Sequence, residues 1–398
     1  MISDTGTQHR AAAPQSPLEK VGAFLASLDK LQLGMALFLC AVGLVFIHST
    51  GIQAGRGAAS FWRQLFWMGA GLAVYILCAI PDPRKTRFKV MAFLVYPVTV
   101  VLLVLLLIPH VGVKAGGAYR WLGVGTLRIQ PSEFAKLGMI LALSVLFSGM
   151  MFNVNSLGGI LSGAVLTLIP FFLIAVEPDL GSALVCLPVY LAILFCGGLK
   201  WRYIVCGIFA VALIGSAVVL NETMRFRPLL TNYQRARINT FLNPDHDRAG
   251  AGFNAHQAKL AVGSGGLTGK GIGAGTQNTL GFLPQSVANN DFIFSVIAEE
   301  TGFYGSLMLL CGYMLLFYSI LRTAFLTEDP FGRSLCVGVA TLFFTHMFIN
   351  IGMSIGVMPV TGLPLPLVSR GGSFIVVSFA ALGLVQAVHR RRMMNDER

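Results

Sequence analysis

The chain carries ten long apolar runs, and their length is the feature that most restricts how it can fold. About 20 apolar residues span a bilayer as a helix, whereas barrel strands would alternate over about 10 residues. Because 55% of the residues are hydrophobic and only 12% are charged, a water-soluble globule is excluded. The sequence therefore predicts an all-α polytopic membrane protein of about ten transmembrane helices, centred near residues 40, 70, 98, 142, 166, 189, 211, 311, 346 and 380.

Lysine and arginine are distributed unequally between the two sides of this predicted bundle, and cytoplasmic loops are the ones enriched in them. With the N-terminus inside, fifteen basic residues lie in inner loops and tails: Arg10, Lys20, Lys30, Arg84, Lys85, Arg87, Lys89, Lys200, Arg202, Arg322, Arg333, Arg390, Arg391, Arg392 and Arg398. Six lie in short outer loops: Arg56, Arg63, Lys114, Arg120, Arg128 and Arg370. We expect both termini to be cytoplasmic. The net charge of +12 then indicates contact with a membrane surface rather than with nucleic acid.

The domain boundaries follow from the same pattern. Residues 1–30 are polar and predict a cytoplasmic tail, residues 31–392 form the transmembrane domain, and residues 393–398 are a C-terminal tail. Between the seventh and eighth spans, residues 221–292 turn polar and glycine-rich, which predicts a large extracytoplasmic loop. Long insertions in compact proteins are usually functional or disordered, and recurring aromatic and aliphatic residues favour function here.

The loop ends at Asp291, immediately before the eighth apolar run. A carboxylate there can face solvent while its surroundings raise its pKa, which suits a general base acting on a lipid-borne substrate. The alternative is an N-cap of the following helix. Within the loop, Lys259 and Lys270 bracket a run of glycines whose backbone amides could hold a pyrophosphate. A merely flexible loop stays the alternative, and the spacing fits neither a Walker loop nor a Rossmann fingerprint.

Two further acidic groups stand near span ends. Glu133 and Lys136 are three residues apart on one helical face at the start of the fourth span. They form either a structural ion pair or the edge of a polar cavity, since ionisable residues in membranes often mark functional sites. Glu177 and Asp179 precede the sixth span, where acids favour the helix dipole and suit capping.

The remaining reactive side chains show no recognisable site. All seven cysteines lie inside apolar runs without CxxC spacing, so we expect small buried hydrophobic residues. The scattered histidines have no zinc-ligand spacing. Metal binding by protein side chains alone is therefore not predicted.

Six motifs, in order, resemble the SEDS family, and together they cover the chain from the first span to the last. They are RWLGVGTLRIQPSEFAK, EPDLGSALV, YQRARINTFLNP, GSGGLTGKGIGAGTQ, DFIFSVIAEETG and NIGMSIGVMPVTGLPLPLVSRGGS. FLNP, GKG, GTQ and the following FLP resemble the RodA-type branch more than the FtsW-type branch. The resemblance implies a ten-span peptidoglycan glycan polymerase of the bacterial inner membrane. It implies lipid II as substrate on the outer face, and a class B penicillin-binding protein and other elongation-complex proteins as partners.

The resemblance also assigns roles. It places the family's essential acid on Asp291, its Glu–Lys pair on Glu133 and Lys136, and its RWL motif on Arg120 and Trp121. Two departures stand out: FLPQSVANNDF has two extra residues and lacks the usual acid and histidine, and Arg370 replaces a common tyrosine.

Glycosyl transfer needs a base for the acceptor hydroxyl and positive charge for the departing undecaprenyl pyrophosphate. Asp291 would be the base. The candidate phosphate partners are Arg120, Arg128, Lys136, Lys259 and Lys270, with Arg235 and Arg237 as weaker ones. No resident cofactor is assigned; the candidate is a divalent cation (Mg or Mn) that would bridge pyrophosphate and a carboxylate. The rival readings are a lipid II flippase or transporter and a non-catalytic scaffold for a transpeptidase.

Overall fold

The computed structural model describes residues 17–52, 55, 57–109, 111–115, 118–124, 127–150, 154–224, 235, 237, 240–241 and 251–396. The first half of this chain forms α1 Pro17–Ala26, α2 Lys30–Ser49, α3 Gly57–Ala79, α4 Thr86–Leu106, β1 Val113–Ala115, β2 Ala118–Val124, β3 Leu127–Ile129, α5 Pro131–Val145, α6 Leu157–Val176, α7 Leu180–Leu184, α8 Cys186–Cys196 and α9 Trp201–Met224. The second half forms α10 Ala251–Ser264, α11 Thr276–Thr279, α12 Gln285–Ala288, α13 Ile293–Leu326, α14 Pro330–Ser354 and α15 Gly372–Asp396.

The predicted all-α membrane architecture is confirmed. Within the described residues, nine helices are long and apolar enough to cross a membrane: α2, α3, α4, α5 with the turn that follows it, α6, α9, α13, α14 and α15. The sixth predicted span is shorter, at Leu180–Cys196, and is divided between α7 and α8. Its 17 residues would reach about 25 Å at 1.5 Å per residue, which is at the lower limit for a bilayer.

Helix α5 lies at the centre of the bundle. It begins with Pro131 at its first turn, where a missing N–H costs nothing, and nearly all of its residues are buried. It packs against α4, α6, α8 and α14. Gly138 allows this close approach, since a Cβ there would lie 2.8 Å from the Thr99 hydroxyl of α4. A polar group on α5 is therefore held by several neighbouring helices.

One end of the bundle carries the longest irregular segments among the described residues. We call the end formed by residues 111–115, 118–124, 127–130, 177–180, 251–292 and 356–371 the loop face. It includes a three-stranded antiparallel sheet, β1-β2-β3, which the sequence did not predict because its strands are only three to seven residues long. It also includes α10, a 14-residue helix inside the predicted long loop.

The eighth span is divided by a glycine. Gly302 has non-helical backbone angles (φ 66°, ψ −157°) inside α13, and a Cβ there would lie 2.7 Å from the carbonyl of Leu267. The glycine-rich loop docks on this break, where Phe303 and Tyr304 donate their backbone N–H groups to the carbonyls of Gly266 and Leu267. Residues 293–301 thus belong to the loop face rather than to the long straight part of the span.

Both predicted tails contain helical residues, and one burial prediction needs correction. The predicted tail 1–30 contains α1, and α15 continues to Asp396 through the predicted C-terminal tail. Cys206 and Cys311 are exposed on the bundle surface, whereas Cys40, Cys186 and Cys336 are buried as expected. The surface of an apolar helix that faces lipid is itself apolar, so hydrophobicity alone cannot separate buried residues from lipid-facing ones.

Candidate active site

Asp291 lies where four segments of the loop face meet. Its backbone carbonyl accepts a hydrogen bond from Asn350 Nδ2 of α14 at 2.9 Å, and the same amide donates to Leu363 O at 2.7 Å. One residue earlier, Asn290 O accepts from the Ser369 hydroxyl at 2.6 Å. Segments 289–291 and 363–369 are therefore fixed to each other and to α14, and these contacts hold the backbone of Asp291 in place.

The Asp291 carboxylate itself is not used in the fold. The N-cap of α13 is Phe292, without a side-chain capping bond, so the predicted capping alternative is wrong. Asp291 is half-buried, and no described residue donates a hydrogen bond to its carboxylate. A Cβ on Gly362 (φ +76°) would lie 3.5 Å from Asp291 Oδ2 and 3.3 Å from Arg237 NH2. The absent side chain at Gly362 thus lets carboxylate and guanidinium approach the same backbone.

The charges around Asp291 oppose one another. Burial raises the pKa of Asp291 to about 6, the Arg237 and Arg120 guanidinium groups counteract the rise, and the Asp179 carboxylate adds to it. Arg237 is anchored by donating to Thr361 O at 2.6 Å. A carboxyl group with a pKa near 6 is ionised at neutral pH and is a stronger base than an ordinary aspartate.

A second acidic pair borders this position, at the junction of α6 and α7. Asp179 caps α7 by accepting from Ser182 N and from the Ser182 hydroxyl, which confirms its predicted capping role. Glu177 has no such role: it ends α6, is buried, and its Oε1 atom has no described partner. Burial first, then the neighbouring Asp179 carboxylate, raise the pKa of Glu177 to about 8, against the Arg120 charge.

Arg120 of β2 supports this junction. Its Nε donates to Glu177 O at 3.0 Å and its NH2 donates to Pro178 O. Consecutive strand residues face opposite sides, so Trp121 faces away from Arg120. Arg128 of β3 is exposed. Arg120 therefore lies within electrostatic range of Asp291, while the predicted substrate contacts of Trp121 and Arg128 stay predictions.

The Glu133–Lys136 pair forms as predicted. Lys136 Nζ lies 2.8 Å from Glu133 Oε1, and the two side chains are 1% and 3% exposed. Lys136 Nζ also lies 2.9 Å from His346 Nε2 of α14. The role of Lys136 as a direct phosphate ligand stays a prediction; in this structure its ammonium group is enclosed by protein and hydrogen-bonded to two side chains.

The glycine-rich loop forms hydrogen bonds with two carboxylates of the same chain, those of Glu299 and Glu300. Glu299 accepts from Lys270 Nζ at 2.7 Å and from Gln277 N at 3.1 Å. Glu300 accepts from the Ser49 hydroxyl at 2.6 Å and from Gly273 N at 3.1 Å. Both glutamates are 1% exposed, so the loop encloses carboxylates rather than an open phosphate site.

Lys270 is part of the same arrangement. An ammonium group has three N–H donors, and Lys270 Nζ lies within hydrogen-bond distance of Ser264 Oγ, Thr276 Oγ1 and Glu299 Oε1. The pyrophosphate role of Lys270 stays a prediction, and binding a phosphate there would replace contacts that hold the loop.

Lys259 has a different environment. It is exposed on α10, and no described residue forms a hydrogen bond or ion pair with it. It lines a small cavity of about 130 Å³ between α10 and α14, together with Thr240, Phe241, His256, Met353 and Met358. Met353 contacts Thr361, whose carbonyl holds Arg237. Lys259 is thus a candidate for binding an anion in this cavity.

Sequence reasoning underrated three residues of this region. The sequence places Arg237 among the weaker phosphate partners, whereas in the structure it is the cation with the largest influence on Asp291. The sequence assigns no role to His346, which lies in an apolar run, or to Asn350, although Asn350 opens the motif NIGMSIGVMPVTGLPLPLVSRGGS. Their spacing of four residues on α14 was the available signal, since it places both on one helical face.

The geometry defines a class of protein: a polytopic membrane protein in which one carboxylate, that of Asp291, lies on the loop face under the influence of Arg237 and Arg120. The chain belongs to the FtsW/RodA/SpoVE family of cell cycle proteins, whose model matches residues 29–394. This confirms the SEDS resemblance.

Individual relatives share most of the chain. It is 37% identical over 373 residues to the peptidoglycan glycosyltransferase MrdB of Escherichia coli K12, covering 92% of this chain and 96% of that protein. It is 30% identical to the peptidoglycan glycosyltransferase RodA of Treponema pallidum, covering 93% and 99%.

Solved structures agree with this fold. A chain from a peptidoglycan synthase complex that coordinates polymerization and crosslinking superposes with a TM-score of 0.76 at 33% identity, covering 92% of this chain and 98% of that chain. RodA of Thermus thermophilus superposes with a TM-score of 0.67 at 31% identity, covering 92% and 97%.

Proposed function

We propose that this chain is a RodA-type peptidoglycan glycosyltransferase. It extends glycan strands by transferring the disaccharide of lipid II, with release of undecaprenyl pyrophosphate, in cell elongation and shape maintenance. Membership of the family and the names of the relatives support the activity. The observation that carries the site assignment is the Asp291 carboxylate, which is half-buried yet accepts no hydrogen bond from any described residue.

In this mechanism Asp291 accepts the proton of the acceptor sugar hydroxyl as that oxygen attacks the anomeric carbon of the donor. The bond to the pyrophosphate oxygen breaks, and one displacement inverts the α-linked donor to a β-1,4 linkage. A base with its pKa just below the working pH is well matched to this step. Arg237 keeps enough of the carboxyl ionised, in opposition to burial.

The leaving pyrophosphate needs positive charge. Arg120, Lys259 and Arg128 are the candidates that the loop face offers, and Arg370 joins them because its backbone N–H donates to Asn289 O, two residues before Asp291. A divalent cation stays a prediction. No three His, Cys, Asp or Glu side chains of the described residues form a metal-binding group, so such a cation would need pyrophosphate oxygens among its ligands.

The cellular setting follows from the same proposal. The protein lies in the cytoplasmic (inner) membrane of a bacterium, with cytoplasmic termini and the active site on the outer face, as the lysine and arginine distribution indicates. The likeness to a chain of a peptidoglycan synthase complex supports a class B penicillin-binding protein as partner, with other elongation-complex proteins.

One observation argues against a flippase, which is the position of the acidic residues along the spans. In the described spans the acidic residues stand towards helix ends, such as Glu133 in the first turn of α5, and Glu299 and Glu300 before the break of α13. Proton-coupled transport of a lipid headgroup favours acids near the midplane.

Purified protein in lipid nanodiscs, incubated with lipid II, tests the proposal. The expected result is glycan strands on a gel with release of undecaprenyl pyrophosphate. Movement of lipid II between leaflets of vesicles, without its consumption, would replace the polymerase by a flippase. A protein that binds a transpeptidase but consumes no lipid II under any condition would be a scaffold.

A further inference from the structure

His346 is a buried histidine that bonds through both ring nitrogens. It is 1% exposed on α14, its Nε2 lies 2.9 Å from Lys136 Nζ, and its Nδ1 lies 3.2 Å from Pro364 O. The ring stacks on Phe374 of α15, with centroids 5.2 Å apart. Four elements of the bundle therefore fix the position of one imidazole.

The partners also fix the proton of His346. The Lys136 ammonium group can only donate, and it donates to Glu133 and His346. Nε2 must then be an acceptor, so the ring proton of the neutral imidazole lies on Nδ1 and is donated to Pro364 O. The Glu133–Lys136 pair thereby selects the tautomer that holds residue 364.

Residue 364 belongs to the segment that shapes the site. Asn350, one turn further along α14, donates to Leu363 O and to Asp291 O. His346 and Asn350 therefore hold two consecutive carbonyls of the 361–365 segment from one helix face. The same segment carries Thr361, which anchors Arg237, and Gly362, which faces the Asp291 carboxylate. A shift of Pro364 would move the surroundings of the base.

We propose that His346 is a positioning residue for Asp291, and that the buried Glu133–Lys136 pair acts on the reaction through the tautomer of this imidazole. The inference rests on the proposed glycosyltransferase function for its kinetic consequence only. It assigns Lys136 a place behind the site instead of a contact with pyrophosphate. Misplacement of reacting groups by about 1 Å can cost on the order of 100-fold in rate.

Two substitutions separate the two hydrogen bonds of His346. His346→Asn keeps a donor near the Nδ1 position and loses the acceptor for Lys136. His346→Gln keeps an acceptor near the Nε2 position and loses the donor to Pro364. We expect the Gln variant to lose about 10- to 100-fold in kcat for glycan synthesis with little change in KM for lipid II, and the Asn variant to retain most of the activity. His48→Asn, on an exposed position of α2, is the matched control and should behave like the parent.

A result in which His346→Gln is as active as the Asn variant, or more so, would overturn the proposal. The second measurement needs no activity: nitrogen NMR of histidine-labelled parent protein, with the His346 signal assigned by subtracting the Asn variant. We expect the proton on Nδ1. A proton on Nε2 would refute the inference even if the variants fail to fold. If the parent makes no glycan, the proposed function fails while the tautomer result still decides the hydrogen-bond network.

Discussion

The loop face buries carboxylates in two places that differ in how their oxygens are used. Glu299 and Glu300 are fully buried, and each accepts hydrogen bonds from the glycine-rich loop and its neighbours. Asp291, at the start of the same segment, is half-buried and accepts none from the described residues. A buried charge whose hydrogen-bonding capacity is filled by the protein fixes the local structure. One that is left unfilled is available for a substrate.

The largest expected effect comes from removing the base. Asp291→Asn keeps the size of the side chain but cannot take up the acceptor proton, so glycan synthesis should fall by at least about 100-fold. Gel analysis of lipid II turnover measures it, with Glu299→Gln as the matched carboxylate control. Near-parental synthesis by a folded Asp291→Asn protein would remove Asp291 from the mechanism.

The next effect concerns the ion pair between Lys270 and Glu299, which holds the glycine-rich loop and which we call the loop clasp. Lys270→Met leaves the buried Glu299 carboxylate without its cation, and we expect a loss of about 3 kcal/mol in the free energy of unfolding. The double variant Lys270→Met with Glu299→Gln should recover part of this loss. Thermal unfolding in detergent compares the three proteins. If Lys270→Met unfolds like the parent but binds lipid II much more weakly, Lys270 is a phosphate ligand after all.

A smaller effect concerns the pH dependence of kcat/KM. Asp291 works when ionised, so activity falls as pH drops through its pKa of about 6. Arg237 favours the charged carboxylate, and Arg237→Gln should therefore move this acidic limb to higher pH. Well below the limb, each unit of movement lowers kcat/KM about tenfold. Arg235→Gln is the neighbouring control. A limb that stays in place would show that Arg237 does not act on the base.

The smallest expected effect is at Ser49. Ser49→Ala removes the hydroxyl that donates to the Glu300 carboxylate, while the hydrogen bond from Gly273 N remains. The free energy of unfolding should therefore fall by about 1.5 kcal/mol. Ser378→Ala, whose hydroxyl bonds only within its own helix, is the control. A loss of glycan synthesis without a loss of stability would place Ser49 in the chemistry rather than in the contacts that hold the Glu300 carboxylate.

Local sequence patterns predicted the position of Asp291 better than they predicted the contact between Lys270 and Glu299. Apolar runs located the nine described helices that are long enough to cross a membrane and the shorter segment Leu180–Cys196. The three-residue spacing found the Glu133–Lys136 pair, and the end of the loop indicated Asp291. The sequence did not indicate the loop clasp between Lys270 and Glu299, because these residues are 29 positions apart and no local periodicity links them. His346 and Lys136 are 210 positions apart. Such contacts depend on how helices pack, which a single sequence does not reveal.

The comparison between the two carboxylate environments is tested most directly by measuring lipid II turnover and unfolding temperature together in Asp291→Asn and Glu299→Gln. Because burial raises the pKa of Asp291 in the folded protein, its ionised form opposes folding above that pKa, and stability is gained when the charge is removed. We therefore predict that at neutral pH Asp291→Asn unfolds at the parental temperature or higher and is inactive. Glu299→Gln should unfold at a lower temperature while its surviving folded fraction still makes glycan. The opposite pattern, an active Asp291→Asn protein of reduced stability beside a stable and inactive Glu299→Gln protein, would contradict the assignment of the two sites.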